Sequence, residues 1–409
     1  MATISAGHVR APTAALVALL GLAVLLNYID RGAIAIAAPL LKPELGLNAT
    51  QFGLAVSAFF WIYAPVQYFL GWACDRWCVY RLLAAGIALW AVSTILMGFA
   101  GSLAALVVFR LFLGLGESIT FPGASKVIAR HVEPHRRGMA NSIVAMGIAL
   151  GPVVGTLAGG LIVAYHGWRP MFVLFGALTL LWVIPWLSVA RRLPNFSDRS
   201  GESRVAVARL LGQWPLWSMG IAHFCATYGL YFVVTWLPLY LVQSRGLTIQ
   251  HMTYLATLGF LAQAASAFLV GWSSDRWTAS GRDEAQYRRW TMVAGGMVSA
   301  VGVVGLMTAR SSEMIALWLM VVGAASATGG VNLYAVAQIF AGPRASGSFI
   351  GIQNATGNLS GIIMPVVTGM IIDVTGLYDI AFLLTAGIAL VGGIWWIIGM
   401  PRIQPMDLD

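Results

Sequence analysis

Twelve apolar stretches, each long enough to cross a hydrocarbon core about 30 Å thick, restrict this chain to membrane folds. They lie near residues 13–38, 51–72, 82–100, 103–125, 138–164, 170–190, 214–243, 251–273, 290–309, 314–338, 346–370 and 378–399. Lipid offers the backbone no hydrogen-bond partner, so spans of this length must bond to themselves as helices. Only 10% of the residues are charged and 59% are hydrophobic, whereas a soluble domain carries about 25% charged residues. The expected class is an all-α membrane protein with twelve transmembrane helices, the first of them retained rather than removed as a signal.

The heptapeptide Gly71-Trp72-Ala73-Cys74-Asp75-Arg76-Trp77 returns as Gly271-Trp272-Ser273-Ser274-Asp275-Arg276-Trp277, each copy directly after an apolar stretch. The chain therefore reads as a duplication: six helices in 1–190, a charged linker over 191–213, and six more in 214–409. Two pseudo-symmetric bundles with a substrate held between them is a plan common among secondary transporters. The motif copies sit too near the membrane face to touch a mid-membrane substrate. Gly71, Asp75, Arg76, Gly271, Asp275 and Arg276 are expected to act in gating, with the two acids accepting hydrogen bonds only when their side is closed.

The net charge of +9 raises nucleic acid as a partner, but the basic residues argue for topology instead. Arg31 and Arg110 lie inside spans, and Lys42, Arg169, Arg245 and Arg310 fall in one set of loops. Every other Lys and Arg falls on the opposite side, which the positive-inside rule makes cytoplasmic, both termini included. The expected location is a bacterial inner membrane, since outer-membrane spans are strands. Cys74, Cys78 and Cys225 are odd in number, so a disulfide framework is not expected, and no metal site is expected either. No GxSxG or HExxH pattern occurs, which leaves no motif for an enzyme.

Charge inside a span costs at least about 2.5 to 3.5 kcal/mol per group and so marks function by default. The interior charges are Asp30 and Arg31 in the first span and Arg110 and Glu117 in the fourth. Arg110 and Glu117, seven apart, share a helix face about 10 Å long and can look into one cavity. Asp30 and Arg31 point about 100° apart, so one is expected to meet the substrate and the other the fourth span. The bland alternative, two ion pairs clamping helices, recovers desolvation poorly. Guanidinium groups facing a wet vestibule suit a carboxylate or phosphate. The acids can then carry protons, because low dielectric favours the neutral carboxylic acid. Small Gly114 and Gly116 would let the fourth span approach a neighbour closely.

The second half supplies polar groups instead: Asn354 and Asn358 on one face, Asn332, Tyr334 and Gln338, and Tyr231 with His223, the latter read as a packing histidine. Helices five and eleven carry matching glycines, among them Gly147, Gly151, Gly155, Gly351 and Gly361, that suit sliding contacts.

The duplicated motif and twelve spans resemble the major facilitator superfamily along the entire chain. Asn27-Tyr28-Ile29-Asp30-Arg31, Ser57 to Tyr63, Arg110 with Gly116-Glu117, Phe121-Pro122-Gly123 and Trp236 to Leu241 resemble its anion:cation symporters. The resemblance implies Arg31 and Arg110 on an organic anion, Asp30 and Glu117 on the coupling proton, and Tyr28, Tyr63 and Asn354 lining the site. It implies symport of a proton with a sugar acid or other carboxylate by a monomer needing no cofactor beyond protons. Ala145 to Leu150 carries no glutamine where sugar-acid members often place one, which admits a smaller or more apolar carboxylate. The same Asp-Arg and Gly-x-Gly-Glu runs also resemble spinster-type lysolipid transporters, the alternative reading.

Overall fold

The computed structural model describes residues 10–132, 137–191, 193 and 207–407. Twelve helices among them are long and apolar enough to span a membrane: spans 1 to 6 are Thr13–Glu44, Ala49–Gln67, Val79–Met97, Leu103–Ile128, Met139–His166 and Trp168–Ala190. Spans 7 to 12 are Trp214–Gln243, Ile249–Ala279, Glu284–Thr308, Ser312–Gly342, Gly347–Thr375 and Asp379–Ile398. No strand occurs among the described residues. Of the expected linker, Val207–Leu211 forms a short helix.

Several helices outrun their apolar stretches, because helical hydrogen bonding continues into the polar boundary where hydropathy has already fallen. Span 1 runs to Glu44 with Pro39 and Pro43 inside it, and span 8 runs through its copy of the repeated motif to Ala279. Spans 10 and 11 meet at Gly342, whose φ of 60° glycine adopts without a Cβ penalty.

The duplication reappears in the caps. Spans 2 and 8 start at Asn48 and Thr248, and spans 4 and 10 at Ser102 and Ser311, each side chain accepting a backbone N–H of the first turn. Asn48 and Gln51 complete a reciprocal capping box.

In lipid, apolar surface gives little net drive for helices to associate, so close packing of small residues carries the bundle. A Cβ on Gly114 would stand 2.3 Å from the Phe59 carbonyl oxygen of span 2, and one on Gly116 would stand 2.6 Å from the backbone of Gly86 and Trp90 in span 3. Those two glycines press span 4 onto both neighbours and set the height of Glu117, the next residue. The helix breaks at Ser118–Ile119, because Pro122 has no N–H to offer the Ser118 carbonyl.

The two ends of the described chain lie on one face, here the terminal face, as an even number of spans requires. On the opposite face the halves are locked together. The Asp373 carboxylate at the end of span 11 accepts the backbone N–H groups of Ala49 and Thr50 at 2.9 and 2.8 Å and the Thr50 hydroxyl at 2.6 Å. It thus caps a helix of the other half. A Cβ on Gly53 would meet the Pro365 oxygen at 2.2 Å, and the Phe52 and Trp236 rings pack edge to face at 5.4 Å. Near the terminal face, by contrast, Gly347 and Gly351 of span 11 have nothing within 4 Å. The halves touch on one side and part on the other.

Asp373→Ala removes a charged acceptor from three donors, each bond of this type being worth about 1.5–3 kcal/mol when buried and less when exposed. The expected result is a roughly tenfold shift toward conformers open on the opposite face. Spin labels at Gly101 and Arg310, in a background without native cysteines, should report the longer distance.

Candidate functional site

Between the halves lies a cavity of about 1950 Å³. It reaches the terminal face past Cys74, Lys126, Asn141, Gln338 and Gly347, and stops short of the opposite face near Ile36, Val56 and Ala256. Tyr28, Arg31, Tyr63, Arg110, Tyr231, Asn354 and Asn358 all border it.

Arg31 is the centre of the site. Its Nη2 donates to Asn27 Oδ1 at 3.3 Å, to the Tyr63 hydroxyl at 3.0 Å and to Glu117 Oε2 at 3.2 Å. Two hydrogens on Nη2 are shared among these three acceptors, while Nη1 has no protein acceptor among the described residues and is not among the buried atoms, on a residue that borders the cavity. Tyr28 and Tyr63 hold the guanidinium from 4.9 Å to each ring centroid, and Phe59 from 5.4 Å. These rings stabilise a desolvated cation without neutralising it.

Arg110 is buried, donates from Nη2 to the Val56 carbonyl at 3.0 Å, and stands 5.0 Å from the same Phe59 ring. Its Nε is buried with no acceptor. Phe59, a residue to which the sequence gave no individual role, is thus shared by both arginines. Its position four residues before Tyr63, on the same helix face, was the available signal. Tyr63 stacks on it at 4.8 Å.

The two acids occupy different surroundings. Glu117 is fully buried against Arg31, with Oε1 lacking a donor among the described residues. Asp30 does not meet span 4, nor does it border the cavity: it turns to span 3, where Trp90 Nε1 donates at 2.5 Å and the Thr94 hydroxyl at 3.2 Å to Oδ2. The expectation that one of Asp30 and Arg31 would meet the substrate side and the other span 4 is corrected here, because Arg31 does both. Trp90 and Thr94, apolar-looking in sequence, hold the remaining acid. Arg110 and Glu117 share a helix face as their spacing requires, yet only Arg110 lines the cavity, Glu117 being covered by Arg31.

The second half contributes a hydrogen-bonded chain. The Tyr231 hydroxyl donates to Asn358 Oδ1 at 2.7 Å, and Asn358 Nδ2 donates to the Asn354 carbonyl at 2.8 Å. The Asn354 side chain accepts from the Tyr334 hydroxyl at 3.3 Å and donates to Gln67 of span 2 at 2.8 Å. His223 is buried on Gln353, at 3.3 Å. Ala145, Ile148, Ala149 and Pro152 of span 5 make an apolar wall.

The gating expectations divide. Asp275 and Arg276 are exposed, with Arg276 4.4 Å above the Trp272 ring and no described donor on Asp275, on the side where the halves are apart. Gly271 has nothing within 4 Å. The side chains of Asp75 and Arg76, like the surroundings of Gly71, lie outside the described residues. Among the described residues no group of three His, Cys, Asp or Glu could hold a metal ion.

Comparison with known proteins agrees with this architecture. The family model for the Major Facilitator Superfamily matches residues 20–282 and 250–406. A probable sulfoacetate transporter of Cupriavidus necator is 31% identical, the alignment covering 90% of this chain and 89% of that protein. The hexuronate transporter of Bacillus subtilis is 29% identical, with 90% of each chain covered. Among solved structures, a bacterial homologue of the human lysosomal transporter Spinster, inward-facing and unoccupied, superimposes with a TM-score of 0.82 at 18% identity, covering 96% of this chain and 98% of that one. That likeness is one of fold. The chain belongs to the Major Facilitator Superfamily and is a multi-pass membrane transporter, not an enzyme.

Proposed function

We propose that this transporter imports an organic anion together with protons, the terminal face being cytoplasmic by the positive-inside rule. The observation that carries the reading is Arg31, tied by one nitrogen to Glu117 and facing the cavity with the other. A carboxylate or sulfonate can accept a charge-assisted bond from Nη1, and it gains the second arm of the fork, Nη2, only as it displaces Glu117. The anion then competes with Glu117 for the same charge. Once the anion takes Arg31 from Glu117, a proton on the buried carboxylate is the least costly way to keep it out of water. Asp30, with an oxygen also lacking a donor, stands as a second proton holder on the span 3 side. Anion plus proton leaves the cavity with the charge of the empty carrier, which suits reorientation through the low-dielectric interior.

The anion transporters among the relatives support the same class, with Arg31, Arg110, Tyr28, Tyr63, Tyr231, Asn354 and Asn358 on the substrate. With the opposite face locked and the cavity open to the terminal face, this conformation fits the stage of cytoplasmic release in such a cycle. We place the protein in a bacterial inner membrane as a monomer.

The test uses proteoliposomes containing a pH dye, with glucuronate, glucarate, sulfoacetate and hexanoate added outside in turn. Inward proton flux that appears with at least one hydroxylated or sulfonated anion, and is absent from protein-free vesicles, supports the assignment. Silence with every anion, alongside release of lysolipid, would replace it with the amphiphile reading.

A further inference from the structure

Two of the hydrogen-bonded ties between the halves lie on opposite sides of Arg31. One is the Asp373 lock described above. The other, Gln67 Oε1 to Asn354 Nδ2 at 2.8 Å, crosses the cavity itself. Gln67 follows Tyr63 by one turn of span 2, roughly 6 Å closer to the terminal face, and Tyr63 is bonded directly to Arg31. An anion docked on Arg31 and extending toward the exit therefore comes alongside Asn354, whose amide Gln67 already engages through one of its two hydrogens.

We propose that Gln67 is a positioning residue that competes with the substrate for Asn354. The inference rests on the organic-anion reading and deepens it by naming what the substrate must carry: a second oxygen acceptor roughly 6 Å from its charged group, one helical turn away. In the empty carrier the Gln67 carbonyl stands in for that oxygen. The Tyr334 hydroxyl on Asn354 Oδ1 and the Asn358 amide on the Asn354 backbone fix the asparagine from behind and leave Nδ2 turned to Gln67 of the other half. A substrate with the second oxygen exchanges one hydrogen bond for another. A chain of equal length without it leaves the tie closed and gains nothing from Asn354. When the substrate departs, Gln67 recovers its partner, which favours release on this side.

This exchange has an unusual signature. Removing Gln67 should tighten substrate binding, because nothing then has to be displaced. The experiment compares dissociation constants of purified protein for glucuronate and for hexanoate, which share chain length and charge but differ in hydroxyls. Gln67→Met, close to isosteric and without the carbonyl, should bind glucuronate about three- to tenfold more tightly, the worth of one neutral hydrogen bond. Hexanoate binding should stay within twofold, and glucuronate turnover should fall as release slows. Asn354→Leu should erase the preference for glucuronate. A merely structural Gln67 predicts weaker binding of both anions. That result, or unchanged glucuronate affinity in a folded Gln67→Met or Gln67→Ala protein, overturns the proposal while leaving anion transport standing. Failure of wild type to bind glucuronate overturns the proposal, and the proteoliposome panel then decides whether anion transport falls with it.

Discussion

Arg31→Lys is expected to lower kcat/KM for the anion by roughly a hundred- to a thousandfold, although the formal charge is unchanged. Arg31 performs two tasks with two nitrogens: Nη2 binds Asn27, Tyr63 and Glu117, and Nη1 is left for the anion. Lysine offers one ammonium, a point charge that satisfies Glu117 or the substrate but cannot present a planar fork to both. Loss of two charge-assisted bonds, each near the low end of about 1.5–3 kcal/mol because the side chain is partly open to the cavity, accounts for a change of this size. The aromatic cradle of Tyr28, Phe59 and Tyr63 would also lose a flat cation against which its rings fit. Uptake kinetics on protein verified as folded by size exclusion provide the measurement. Transport by Arg31→Lys within threefold of wild type would mean that the anion binds elsewhere.

Glu117→Gln should separate transport from its driving force. Glutamine keeps the shape and an oxygen for Arg31 to bond, but it neither competes as a charge nor carries a proton. Exchange of labelled for unlabelled anion should therefore persist within about tenfold, since it needs no net proton movement. Accumulation driven by a pH gradient should disappear, and the pH dependence of exchange should flatten. Counterflow and pH-jump uptake on the same vesicles distinguish the two. If pH-driven accumulation survives in Glu117→Gln, Asp30 alone carries the coupling proton. Asp30 sits behind Trp90 and Thr94 and away from the cavity, so that result would require a proton route through the span 1–span 3 contact.

Much of this was legible in the sequence for a definite physical reason. A bilayer penalises charge so heavily that the four interior Asp, Glu and Arg residues identify themselves, and the basic residues gather in alternate loops. The duplication was equally plain from the repeated motif, and the structure adds matching caps at Asn48, Thr248, Ser102 and Ser311. What sequence spacing could not supply was the identity of each partner across helices. Helical geometry says that Asp30 and Arg31 diverge by about 100°, but not that span 3 rather than span 4 receives the acid. The Gln67–Asn354 tie joins residues 287 apart in the chain, and Asp373 meets Ala49 from a still greater separation. Both depend on which conformer the carrier occupies, a property of two bundles meeting rather than of any local pattern.

The most direct measurement is uptake of labelled glucuronate into proteoliposomes with the label equal on both sides at the start and the pH lower outside. Proton-coupled symport predicts that internal label rises several-fold above external and returns to equality when a protonophore is added. Label that stays at equality whatever the pH gradient, in protein shown to exchange glucuronate, would contradict proton coupling and leave a passive carrier or an exchanger in its place.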